Sequence, residues 1–202
     1  MNAILLWVLF GFLCGSIPFA YLIGKYIVGR DIRTVGDGNP GGTNVWIAGG
    51  WKIGLTTILL EILKGFAPVY LAQRAGLVEW SLVPVGLSPI IGHAAQPFLG
   101  WRGGKALGAT GGVWLALTGI WAFVAFAVGA LTVLTLQTVH AYASLAGMIT
   151  LTVFVYWRFG ADWLSAFALL NTAVIFWTHR RDLGSPWQWR NWVFHYVFRR
   201  SA

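Results

Sequence analysis

The chain has 202 residues, 57% of them hydrophobic and only 10% charged, with a mean hydropathy of +0.69. A soluble domain carries about 25% charged residues, so this composition excludes that class and reads as an integral membrane protein. The net charge of +8 is spread between hydrophobic runs, which fits the anionic membrane surface better than a nucleic-acid partner.

A bilayer span takes roughly 20 mostly apolar residues. The first apolar run, 3–28, lacks a basic leader and an A-x-A-like cleavage site, so it is expected to be a retained helix. Its lone Cys14 offers neither a disulfide nor a metal cluster. "VGDGNPGGTN" follows at 35–44, with four glycines and one proline. Irregular backbone near lipid must be buried in protein or line a wet cavity. Successive amides at Gly38, Asn39 and Gly41 suit an anion nest, with Thr43 and Asn44 as side-chain donors. The bland alternative is a plain connecting loop, with Asp37 capping its own turn.

The second span is expected at 52–73. Glu61 and Lys64 lie three apart inside it, and charges at that depth must pair or face the interior. A structural ion pair is the first expectation. The third span is expected at 80–98 and runs into "GHAAQPFLGWRGGKALG", 92–108. Gly103, Gly104 and Lys105 open the next helix, where amides, a helix N-terminus and an ammonium suit a phosphate. Arg102 reads as a membrane-face anchor and His93 as a structural, hydrogen-bonding histidine. The fourth and fifth spans, 107–120 and 121–138, are either separate or one bent element broken near Thr118–Gly119. The sixth is expected at 142–158, with His140 and Ser144 at its start; a serine there can bond its own helix backbone. The seventh is expected at 161–178 and ends in "HRRDL". His179 and Asp182 are three apart there and share a helical face. Arg180 and Arg181 suit a stop-transfer cluster. In the basic, Trp-rich tail, 184–202, Ser185–Pro186 is expected to start a short interfacial helix carrying Trp189, Trp192, Val193, Tyr196 and Val197.

The fold class is therefore all-α: about seven transmembrane helices in a single membrane-embedded domain, 1–183, followed by the tail. Lys25, Arg30, Arg33, Lys52, Arg102, Lys105, Arg180, Arg181, Arg190, Arg199 and Arg200 fall on one face, against Arg74 and Arg158 on the other. The positive-inside rule places the N-terminus outside and the C-terminus in the cytoplasm. No G-x-S-x-G elbow, H-E-x-x-H motif or cysteine pair occurs.

Five stretches in order resemble one family. They are "GSIPFAYLIGK" at 15–25, "GDGNPGGTNV" at 36–45, "LLEILKGFAPV" at 59–69, "GHAAQPFLGWRGGKALGAT" at 92–110 and "THRRDL" at 178–183. Together they are similar to the bacterial acyl-phosphate:glycerol-3-phosphate acyltransferases. The resemblance implies a seven-helix enzyme of the cytoplasmic membrane that moves a fatty acyl group from acyl-phosphate to glycerol-3-phosphate, giving lysophosphatidic acid, without metal or cofactor. Membrane lipids are the expected surroundings and no nucleic acid is a partner. On this basis Gly38, Asn39, Gly41, Thr43, Asn44, Gly103, Gly104 and Ser144 are expected to bind substrate. Lys105 would neutralise the donor phosphate, His179 would contact the acceptor or its proton, and Asp182 would orient His179 or accept a hydrogen bond from the acceptor. The chain departs from the family pattern at Asp37 (usually Ser), Ile47 (usually Arg), Ala141 (usually Arg) and Asp182 (usually Asn). Each change makes the region more negative. Asp37 gains a possible role as general base. A different alcohol acceptor, or a non-catalytic pocket that binds a lipid or anion, are the alternatives.

Overall fold

The computed structural model describes residues 3–191, and all regular structure among them is helical apart from one isolated bridge. The chain divides into two compact units, one ending at Gly119 and the other starting at Ile120.

In the first unit, α1 (Ala3–Ser16) and α2 (Phe19–Ile23) form the opening span, extended by a π-turn over Gly24–Val28. Pro18 explains the interruption, since its ring cannot donate and clashes with the preceding turn. The break leaves the Ile17 carbonyl and the first-turn amide of Ala20 outside the regular ladder. In an apolar setting both need partners. Ile17 O accepts from Phe19 N at 3.0 Å and also from Lys64 Nζ on α3 (Gly42–Arg74) at 2.8 Å, while Ala20 N donates to Glu61 Oε1 on the same helix at 3.2 Å.

The second span starts just after Gly50, beside the expected 52, and a separate helical limb, 42–49, precedes it. The reason is Gly50, whose φ of 82° and ψ of 173° interrupt α3. Glycine reaches that conformation without Cβ strain. The limb 42–49 folds back along 51–58. A Cβ on Gly54 would lie 2.4 Å from Trp46 Cβ, and one on Gly42 would lie 2.5 Å from Ile58 Cγ1. At 1.5 Å rise per residue, the N-terminal end of the limb sits about 12 Å along the helix from Gly50. The polar loop before Gly42 is thereby carried down the side of α3. Gly54→Leu is expected to wedge this hairpin open. It should cost about 1–3 kcal/mol by overpacking and about 10-fold or more in kcat/KM by misplacing the loop; thermal melting and steady-state kinetics check both.

Next come α4 (Leu82–Ala95) and α5 (Leu107–Thr118). Small residues bring backbones together, as in other membrane bundles. A Cβ on Gly15 would lie 2.1 Å from Pro89 O, closing α1 on α4, and one on Gly65 would lie 2.1 Å from Ala109 O, closing α3 on α5. With only 12 residues, α5 rises about 18 Å, short of the roughly 30 Å hydrocarbon core. Among the described residues, three stretches are long and apolar enough to cross a bilayer: Ala3–Val28, Gly42–Arg74 and Glu79–Leu99; Leu107–Thr118, Trp121–Leu136 and Trp163–His179 are apolar but shorter.

The fourth and fifth expected spans are separate helices, parted at Gly119 with φ 66°. The second unit holds α6 (Trp121–Leu136), α7 (His140–Phe159) and α8 (Trp163–His179). With the first span counted as one, the described residues form seven helical segments. Asp162 caps α8, its Oδ1 accepting from Leu164 N and Ser165 N at 3.0 Å each. The tail does not start a helix at Ser185–Pro186. Its backbone is extended there and pairs instead: Thr138 N donates to Gln188 O at 3.0 Å and Arg190 N to Leu136 O at 2.9 Å. Tyr142 Oη also donates to Ser185 O at 2.7 Å. These bonds occupy groups that an early helix would need, and Arg190 N supplies a partner for a carbonyl in the last turn of α6. Trp192, Val193, Tyr196 and Val197 lie outside the described residues.

Candidate active site

The first unit joins two glycine-rich segments whose contacting residues, Asp37 and Lys105, are 68 apart in sequence. Lys105 Nζ lies 2.6 Å from Asp37 Oδ2, and Lys105 N donates to Asn39 Oδ1 at 3.1 Å. Asp37 Oδ1 accepts from Asn39 N at 3.1 Å and Asn44 Nδ2 at 3.0 Å. The first is the turn-capping bond expected of an aspartate in such a loop. Asn44 is buried and also donates to Asn39 O at 2.8 Å, tying the loop to the first turn of α3.

The Gly103–Gly104–Lys105 turn is pressed onto the end of α4. Gly104 N donates to His93 O at 3.3 Å, and a Cβ on Gly103 would lie 2.1 Å from Ala94 O. Only a residue without a side chain fits there. A Cβ on Gly104 would meet His93 Nε2 at 2.4 Å and Asn39 Oδ1 at 3.0 Å. The helix after the turn starts at Leu107, as expected. Ala106, at φ 60°, intervenes as the residue before α5.

Thr43 and Gly38 are exposed, and Gly41 precedes α3 with its amide donating to Asn39 O at 2.8 Å. Ile47 is 62% exposed on the folded-back limb. Burial works to raise the Asp37 carboxyl, but the Lys105 ammonium, the Asn39 amide and the Asn44 side chain together outweigh it and hold the group below the usual carboxylate range. A depressed folded pKa contributes stability that is complete above the ordinary aspartate pKa, about 3.9, and is lost as pH falls through the folded value. The melting-temperature difference between wild type and Asp37→Asn is therefore expected to be steady near neutrality and to shrink below about pH 4, read from a pH series of thermal melts.

Beneath the turn lies a buried ionic cluster. Glu61 Oε2 sits 2.7 Å from Lys64 Nζ and 3.0 Å from His93 Nδ1. The expected Glu61–Lys64 pair is present. His93 does form a structural hydrogen bond, but its partner is that same carboxylate. The sequence reading did not join His93 to Glu61. The available signal was physical: three ionisable side chains within apolar runs have to satisfy one another.

In the second unit, His179 is buried at the end of α8. A carbonyl only accepts, so its Nδ1–H donates to Ile175 O at 2.9 Å. The helix ends at His179, and Asp182 opens a short 3₁₀ turn, Asp182–Gly184. The three-residue spacing thus straddles a helix terminus rather than one helical face. Ser144 Oγ donates to His140 O at 3.0 Å, the backbone bond anticipated for it.

Comparison with known proteins gives a consistent result. The profile of the family described as Glycerol-3-phosphate acyltransferase matches residues 5–188. A glycerol-3-phosphate acyltransferase of Maridesulfovibrio salexigens is 35% identical over 178 residues, covering 88% of this chain and 90% of the relative. One from Thermus thermophilus is 36% identical over 183 residues, with 91% of each chain covered. The crystal structure of PlsY, an integral membrane glycerol 3-phosphate acyltransferase, in its glycerol 3-phosphate form superposes with a TM-score of 0.79 at 31% identity, covering 90% of each chain. Its lysophosphatidic acid form gives 0.78 at 30% identity, again with 90% coverage of each. The chain belongs to the glycerol-3-phosphate acyltransferase family.

Proposed function

We propose that the protein transfers a fatty acyl group from an acyl phosphate to glycerol-3-phosphate, making lysophosphatidic acid for phospholipid synthesis. The observation that carries this reading is the meeting of loop 36–44 and turn 103–105 at Lys105, in a chain of this family. Phosphate is a good leaving group, so the acyl donor needs little activation. The acceptor oxygen bonds to the carbonyl carbon, the bond from that carbon to the phosphate oxygen breaks, and phosphate departs with the electron pair as the hydroxyl proton is released. The protein's task is to hold two anions close and exclude water, which is positioning and charge stabilisation.

Lys105 and the amides of the Gly103–Gly104 turn are the groups proposed to face phosphate, with Gly38, Asn39, Gly41, Thr43 and Asn44 lining the approach. His179, Asp182 and Ser144 are proposed contributors to turnover on the strength of the family resemblance, each to be tested by its own alanine variant. The basic flanks Arg33, Lys52 and Arg102 support a cytoplasm-facing site, with the N-terminus outside. The acyl chain is proposed to enter from the inner leaflet between apolar helices.

The test is direct. Purified protein in detergent receives palmitoyl phosphate with glycerol-3-phosphate or with uncharged polyols, and phosphate release and lipid product are measured. Lysophosphatidic acid formed with glycerol-3-phosphate alone is the expected result. Release with a polyol alone, or no release above spontaneous hydrolysis, would overturn the reading.

A further inference from the structure

We infer that Asp37 is a built-in competitor for the anion site: in the resting protein its carboxylate occupies the donors that a substrate phosphate must take over. The inference rests on the proposed function above, because it presumes that Lys105 and its loop bind phosphate. Its basis is the number of donors that one side chain satisfies. Lys105 Nζ, the Asn39 amide and the Asn44 side-chain amide all end on Asp37, at 2.6, 3.1 and 3.0 Å. An ammonium and two N–H groups around two carboxylate oxygens match the kind of shell that a phosphate oxygen pair would need.

The competitor is placed to leave. The Asp37 side chain is 49% exposed, against 20% for Lys105. It stands between Gly36 and Gly38, at φ 57° and 74°, so the short segment that bears it has backbone freedom that other residues lack. The partners differ in this respect. Asn44 is buried on the first turn of α3, and Lys105 N is fixed to Asn39 Oδ1. Displacement therefore moves the carboxylate out toward water and leaves the donors where they are.

The consequence is quantitative. A site whose binding-competent state is populated for a fraction of the time has its apparent affinity weakened by that fraction. If the carboxylate holds Lys105 for about nine-tenths of the time, glycerol-3-phosphate binds about tenfold more weakly than the donor set permits. Asp37 then sets the acceptor concentration at which the enzyme works.

The experiment measures the KM for glycerol-3-phosphate, and the dissociation constant of inorganic phosphate by calorimetry, in wild type, Asp37→Ser and Asp37→Asn. Thermal melts confirm that each variant is folded. Both constants are expected to fall about tenfold in both variants. Unchanged or raised constants in either folded variant would overturn the inference and make Asp37 a positioning residue that holds Lys105 in place. The phosphate measurement needs no turnover, so the two readings can fail separately. Loss of lysophosphatidic acid synthesis in wild type sinks the proposed function, whereas tighter phosphate binding without Asp37 still supports the competitor.

Discussion

Lys105→Ala is expected to lower kcat/KM for glycerol-3-phosphate by about 10²–10³-fold, the usual effect of removing one preorganised group from a site of developing charge. The argument begins with position. Lys105 is the cation at which loop 36–44 and turn 103–105 meet, and its backbone amide is fixed by Asn39 Oδ1. Its side chain is 80% covered, so the ammonium works in a lower dielectric than an exposed lysine would. Stability should change little, because the Asp37 carboxylate left behind is half-exposed and regains water. A large kinetic loss with a small change in melting temperature is therefore the expected pattern, read from initial rates and thermal scans of the same preparation. A drop of several degrees in melting temperature with matching loss of activity would instead assign Lys105 to structure.

The second large effect is on stability. Glu61→Ala is expected to cost about 3–5 kcal/mol, because Lys64 is left as a buried, uncompensated charge. For a chain of this size that is on the order of 10 °C in melting temperature, measured in detergent. The cluster does more than pair two charges. It supplies the partner for Ala20 N at the Pro18 interruption and a second donor for Ile17 O, which Phe19 N also reaches. Replacing a buried ion pair by apolar residues is often neutral elsewhere, so the double variant Glu61→Leu/Lys64→Met separates the two roles. Only partial recovery is expected, since the Ala20 amide at the break loses its acceptor and retains a penalty of about 1–3 kcal/mol. Full recovery would mean that the pair serves itself and not the broken helix.

Most of the helical pattern was legible because lipid demands long apolar runs, and their interruptions by glycine and charge are conspicuous. The break at Gly119 could be read that way. The limb 42–49 could not. Eight residues containing two glycines after a Pro-Gly sequence have little intrinsic helix tendency, and only packing against 51–58 makes the helix. Ser185–Pro186 has the local signature of a helix start, yet pairing with residues 136–138 overrides it. Site chemistry shows the same division. Glycine-rich loops and a following lysine announce an anion site through residue type alone. That Asp37 would lie on Lys105, and His93 on Glu61, depends on contacts 68 and 32 residues apart, which no local pattern encodes.

One measurement tests the central claim most directly: a crystal structure of this protein with glycerol-3-phosphate bound. The account predicts a phosphate oxygen within about 3 Å of Lys105 Nζ, on the Asn39 and Asn44 side of the loop, with the Asp37 carboxylate swung away. A phosphate seated elsewhere, with the Asp37–Lys105 contact intact beneath a fully occupied substrate, would contradict it.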